Sequence, residues 1–165
     1  MHKHLPMMGI VYKQIDFSDI DIIQPVWEKI REHHRKVLVH DFQHLVDDFT
    51  FDQFKLSLAE KAKDGGAVYI ISAVDEEADT ISGYCATSLS KDGDGFLESI
   101  YVLSEYRSGI GEKLALYSVD WLDENNARSK ELFVVYGNER VMKLAERFGF
   151  YPSRTVLTQI NKKAD

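Results

Sequence analysis

The stretch EYRSGIGEKL, Glu105 to Leu114, is where this chain has the least freedom. It joins an apolar run ending in Val102 to an amphipathic segment that begins near Gly111, so a strand hands over to a helix within a few residues. Glycines in such a turn let successive backbone N–H groups point outward together, and the helix dipole adds partial positive charge, which suits a phosphate or pyrophosphate. Arg107 offers the same anion a charge-assisted contact. A tight connection in which Gly109 and Gly111 supply only backbone freedom satisfies the same pattern. The dinucleotide fingerprint is excluded, because G-x-G-x-x-G needs glycine where Leu114 stands, and no Gly-Lys-Ser/Thr occurs here.

With 165 residues the chain can bury a core as one domain, 1–165, without metal or disulfide staples. Its 20 basic and 27 acidic residues leave a net charge of −7, which argues against nucleic acid as a partner and favours a cationic or neutral one. Cys85 is the only cysteine, and MHKHLPMM is not followed by an apolar stretch long enough for a signal or membrane span. The expectation is a cytoplasmic protein with no membrane partner.

Periodicity orders the elements. MGIVYKQI reads as a strand; Pro25 opens a helix with Val26, Trp27 and Ile30 on one face; Thr50 and Gln53 form a capping box for a second helix that Gly65-Gly66 stops. AVYIISAV, TISGYCATSL and FLESIYV follow as antiparallel strands joined by the turns DEEAD and KDGDG. A third helix runs from the glycine turn to Asn125-Asn126, ELFVVY is a strand, a fourth helix runs from Asn138 to Gly149, and RTVLTQI closes the chain as a last strand. The predicted class is α+β, with helices flanking a mixed, largely antiparallel sheet in three layers, in the order β-α-α-β-β-β-α-β-α-β.

FLESIYV, the turn YRSGIG and the downstream YGNERVMKLAERFGFYP together resemble the GCN5-related N-acetyltransferase (GNAT) family, in element order over nearly the whole chain and in residues from about Phe96 to Pro152. The resemblance implies transfer of an acetyl group from acetyl-CoA to a primary amine by direct attack in a ternary complex. It implies that the strand before the turn splays from its neighbour, that Ile100, Tyr101 and Val102 line the pantetheine arm, and that Arg107, Ser108, Gly109, Ile110 and Gly111 hold the pyrophosphate. Asn138 matches the family asparagine at the start of the last helix, although asparagine there serves equally as an N-cap.

The chain departs from the family twice. Arg107 lies one residue too close to Gly109, with Tyr106 in the expected position, so the phosphate turn is one residue short. Ala145 stands where many members carry the tyrosine that protonates the leaving thiolate, leaving Tyr136, Tyr151 and Tyr101 as unplaced proton donors. For the base, Glu98 resembles the acidic residue often found on this strand; a carboxylate can accept the amine's proton directly or through water. Strict alternation places Glu98, Ile100 and Val102 on one face, and Leu97, Ser99 and Tyr101 on the other. A salt-bridged surface residue is the competing reading of Glu98.

The remaining features are weaker. His40 and His44, with His33, His34, Asp41, Asp47 and Asp48 nearby, lack a third ligand at recognisable spacing, so no metal is assigned. KDGDG is a hairpin turn rather than a calcium loop, and Cys85 a packing residue. The expected partner is a small-molecule or peptide amine, a cationic polyamine fitting the net charge, with a homodimer possible through the last strand. An acyl-CoA-binding module without transfer, used for sensing or assembly, is the alternative, and a structural interaction protein a third.

Overall fold

The computed structural model describes residues 9–39, 42–107 and 109–160. Five strands form one sheet in chain order: β1 (Ile10–Ile15), β2 (Ala67–Asp75), β3 (Thr80–Leu89), β4 (Asp94–Val102) and β5 (Ser129–Leu132). The first four pair antiparallel, and β4 and β5 pair parallel. Helices α1 (Gln24–Val37), α2 (His44–Asp47) and α3 (Phe51–Lys61) connect β1 to β2, α4 (Ile110–Glu124) crosses between β4 and β5, and α5 (Glu139–Glu146) follows β5.

Both faces of the sheet are covered, so the central β3 is buried continuously from Ser82 to Ser88 rather than at alternate positions. Alternation instead distributes side chains between two cores. Ile70, Tyr84 and Ala86 pack with Ile23, Trp27, Phe54 and Leu58 from the α1/α3 side, while Ile71, Cys85, Leu97 and Val102 pack with Ile110, Leu114 and Leu122 of α4. Trp27 stands edge-on to Phe51 at 5.3 Å and stacked with Phe54 at 5.7 Å, tying α1 to α3. The capping box forms as the sequence predicts: Thr50 accepts from Gln53 N, and Gln53 accepts from Thr50 N at 2.7 Å.

Four expectations change. ELFVVY is not a six-residue strand: β5 ends at Leu132, where its ladder with β4 stops at the Leu97–Leu132 pair. Beyond that point the two strands diverge, and 133–137 leaves the sheet. RTVLTQI alternates like a strand but joins no strand ladder among the described residues, and Val156 and Leu157 are exposed. A strand needs an edge to join, and β5 offers one only four residues long. The first strand starts at Ile10, and Met8 lies outside the described residues.

The fourth change matters most. Pairing of β3 with β4 shifts between Ala86–Ser99 and Thr87–Leu97, leaving Glu98 as the extra residue of a β-bulge. The bulge breaks strict alternation. Leu97, Ile100 and Val102 therefore pack in the α4 core, whereas Ser99 reaches Tyr84 and Tyr101 packs in the α1/α3 core. Glu98 turns toward α3, away from the aliphatic residues it was expected to accompany.

Candidate active site

The divergence of β4 and β5 opens a cleft of about 390 Å³ bordered by β4, the 133–135 segment, α5, the first turn of α4 and the end of α1. Among the described residues no strand pairs with Ile100–Val102 on the β5 side. Ile100, Tyr101, Val102, Arg107, Gly109, Gly111 and Asn138 all line this cleft, so most of the residues named from the sequence converge. Ile110 does not line the cleft, its side chain being fully buried in the α4 core, and Ser108 lies outside the described residues.

The turn is built to hold its shape. In the 3-10 turn Ser104–Tyr106, the Tyr106 hydroxyl donates to Asp75 at 2.9 Å, which fastens the turn to the end of β2. Tyr106, in the position where the family carries arginine or glutamine, is thus a fastening residue. Gly109 then adopts φ +84°, a left-handed conformation that reverses the chain into α4. Among the described residues no side chain caps that helix, so its first amides take no cap acceptor from them. Arg107 folds back over β4, donating to Val102 O at 3.2 Å and to the Tyr101 hydroxyl at 3.3 Å.

Asn138 begins α5 without a side-chain capping bond; it is buried and borders the cleft. Of its two candidate roles, the cap is not formed. Arg140, Lys143 and Arg147 add cationic side chains from α5, and burial, then the neighbouring Arg107 guanidinium, lower the pKa of Arg140. Arg147 pairs with Glu112 at 2.8 Å, while Arg107, Arg140 and Lys143 enter no ion pair among the described residues. These α5 residues escaped the sequence reading, although the spacing i, i+3, i+7 marks one helical face.

At the other end of the cleft Glu98 accepts from both Lys61 Nζ and Ser88 Oγ on its Oε1 atom. Lys61 also lies over the Phe96 ring at 4.4 Å, and Phe96 stacks with Phe133 at 6.3 Å. Glu98 is therefore both a cleft residue and one member of an ion pair. His33 and His34 border the cleft from α1; burial, then His33, lowers the His34 pKa to about 4. Among the three candidate proton donors only Tyr101 lines the cleft, since Tyr136 and Tyr151 are exposed elsewhere. Ala145 lines a small apolar crevice between α5 and the sheet.

The competing motifs resolve simply. Among the described residues no group of three His, Cys, Asp or Glu stands close enough to hold a metal; His40 and Asp41 lie outside them. Asp47 pairs with Arg35. KDGDG is a hairpin turn closed by Gly93 N to Ser90 O at 3.0 Å. Cys85 is fully buried, and burial pushes its thiol up to about 11, so it packs rather than reacts. No described helix is long and apolar enough to cross a membrane.

A five-stranded mixed sheet opening between its parallel pair, with a glycine turn at the opening, defines an acyltransferase-type fold. The acetyltransferase (GNAT) family model matches residues 27–150, and the chain belongs to that family. Solved structures agree in fold. A GCN5-related N-acetyltransferase from Ralstonia eutropha JMP134 superposes with TM-score 0.69 at 17% identity, covering 92% of this chain and 99% of that one. An integron cassette protein from V. cholerae gives 0.62 at 15% identity, covering 94% of each. An aminoglycoside acetyltransferase from an uncultured soil metagenomic sample, in complex with sisomicin, gives 0.54 at 13% identity, covering 94% and 97%. No curated protein sequence matches significantly.

Proposed function

We propose that this acetyltransferase-family protein uses acetyl-CoA to acetylate a primary amine, by direct attack within a ternary complex. The observation that supports this most is a single cleft with two chemically different ends. At one end lie the uncapped turn of α4, Arg107 and the cations of α5; at the other lies Glu98. A strand rise of ~3.3 Å per residue separates Glu98 from Val102 by about 13 Å, room for an extended arm along unpaired β4 backbone.

The residues fit such a ligand. The amides of 109–111 and the cationic side chains suit phosphates, Ile100 to Val102 offer unpaired strand backbone, and the Asn138 amide, free of capping duty, would bond the arm. Acetyl-CoA, when bound, supplies a thioester: the amine lone pair bonds to its carbonyl carbon, the C–S bond breaks, and of the two protons the ammonium loses, one ends on sulfur and one in solvent. Glu98 takes a proton at Oε2, because Oε1 already accepts two hydrogen bonds. To Tyr101, the cleft tyrosine whose hydroxyl accepts from Arg107, we assign the return of one.

The test is calorimetric titration with acetyl-CoA, using Gly109→Trp as the blocked control, followed by an amine screen with Glu98→Gln. Micromolar binding lost in the control, and turnover lost in Glu98→Gln with affinity retained, is the expected result. A wild-type protein that ignores acetyl-CoA refutes the proposal. The second reading, an acyl-CoA-binding module without transfer, draws on the packing of Ala145 where a tyrosine acid is usual and on the existing pairing of Glu98. Binding without turnover over a broad amine panel selects it.

A further inference from the structure

We infer that the acceptor is an amine that also carries an anionic group, its ammonium seated on Glu98 and its anion on Lys61. The inference rests on the acetyltransferase reading and names the substrate class of the same site.

Lys61 comes from the last turn of α3, and its side chain is 34% exposed against 14% for Glu98, so the lysine forms the rim and the carboxylate the interior of one ion pair. Glu98 Oε2 has no donor among the described residues, because Lys61 and Ser88 both bind Oε1. An ammonium carries three N–H donors, and Glu98 is the only hydrogen-bond acceptor of Lys61 Nζ among the described residues. The pair therefore presents an open acceptor and open donors side by side.

A zwitterion can lie head to tail against such a pair, making two charge-assisted contacts while leaving the Lys61–Glu98 contact in place. A diamine makes one and brings its second cation toward Lys61. The charge of −7 belongs to the chain as a whole and does not describe this cleft, which carries an excess of cations. Phe133, 77% exposed at the cleft and stacked on Phe96, provides an apolar surface for the remainder of the acceptor.

The experiment compares leucine, leucinamide, O-phosphoethanolamine and 1,4-diaminobutane, by calorimetric binding to the CoA-loaded protein and by initial rates with acetyl-CoA. The anion-bearing amines are expected to exceed leucinamide and the diamine by roughly tenfold or more, the usual scale of one charge-assisted contact. Whether carboxylate or phosphate is preferred identifies the anion, and either supports the inference. Lys61→Met should bring the leucine-to-leucinamide ratio close to one, and Lys61→Arg should preserve it. Equal or better binding and turnover of leucinamide or the diamine in wild type, or a preference that survives Lys61→Met, overturns the inference. Selective binding of the anionic amines without turnover defeats the acetyltransferase reading and leaves this one standing. Turnover of diamines alone does the reverse.

Discussion

The two glycines of the turn look alike in sequence, and the structure assigns them opposite responses to alanine. Gly109 sits at φ +84°, and a Cβ built there meets nothing within 4 Å, so its cost is backbone strain alone. That strain is about 1–2 kcal/mol for an L-residue with a side chain in the left-handed region. Gly111 lies within α4 at an ordinary φ, and its added Cβ would meet Leu144 Cδ2 at 3.6 Å and Val102 Cγ2 at 3.7 Å, both normal contacts. Alanine there gains about 0.5–1 kcal/mol from reduced unfolded-state freedom. Gly109→Ala should therefore melt below wild type and Gly111→Ala above it, at about 2–4 °C per kcal/mol for a chain of this size. Differential scanning calorimetry measures both. Equal losses, or no loss in Gly109→Ala, would refute the reasoning. The open space at Gly109 also makes Gly109→Trp a fair control for ligand binding, because the bulk falls outside the packed core.

Other outcomes follow from the same geometry. Glu98→Gln should lower kcat by roughly 10²–10⁴ with acetyl-CoA affinity little changed, as expected when a proton acceptor is removed; single-turnover kinetics beside calorimetry separates the two. Leu58, fully buried between α3 and the sheet, should cost about 2–5 kcal/mol when cut to alanine, read by urea unfolding. His34 is held near 4 in the folded chain against about 6.5 unfolded. The unfolded chain binds more protons between those values, so stability present above pH 6.5 is lost as pH falls toward 4, by no more than about 2 kcal/mol at a half-buried site. His34→Gln should flatten that decline in unfolding curves measured across pH. Cys85 should resist a thiol reagent at pH 8 in the native protein and react at once in urea, as a buried thiol does.

Local pattern carried much of the fold. The strand limits of TISGYCATSL, the Thr50–Gln53 cap and the fourth helix were legible because each depends on neighbours a few residues away. The lining of the cleft was legible where a motif spans a continuous stretch: Ile100, Tyr101, Val102, Arg107, Gly109 and Gly111 border it together with Asn138. The face of Glu98 was not, because a bulge depends on the register of β3 against β4. Nor was Lys61, which lies 37 residues from its partner in the chain. The last run failed as a strand for a related reason: alternation specifies faces, while pairing depends on an available edge.

The sequence by itself thus determined the order of the main strands and helices up to the last helix, the glycine turn and the family, since these rest on periodicity and short-range spacing. Only the tertiary structure decided that β4 and β5 part after Leu97, that Asn138 leaves its cap unformed, and that a lysine sits beside the candidate base. Those features depend on contacts between elements remote in the chain, where strand register and the packing of helices fix which charges share a cleft.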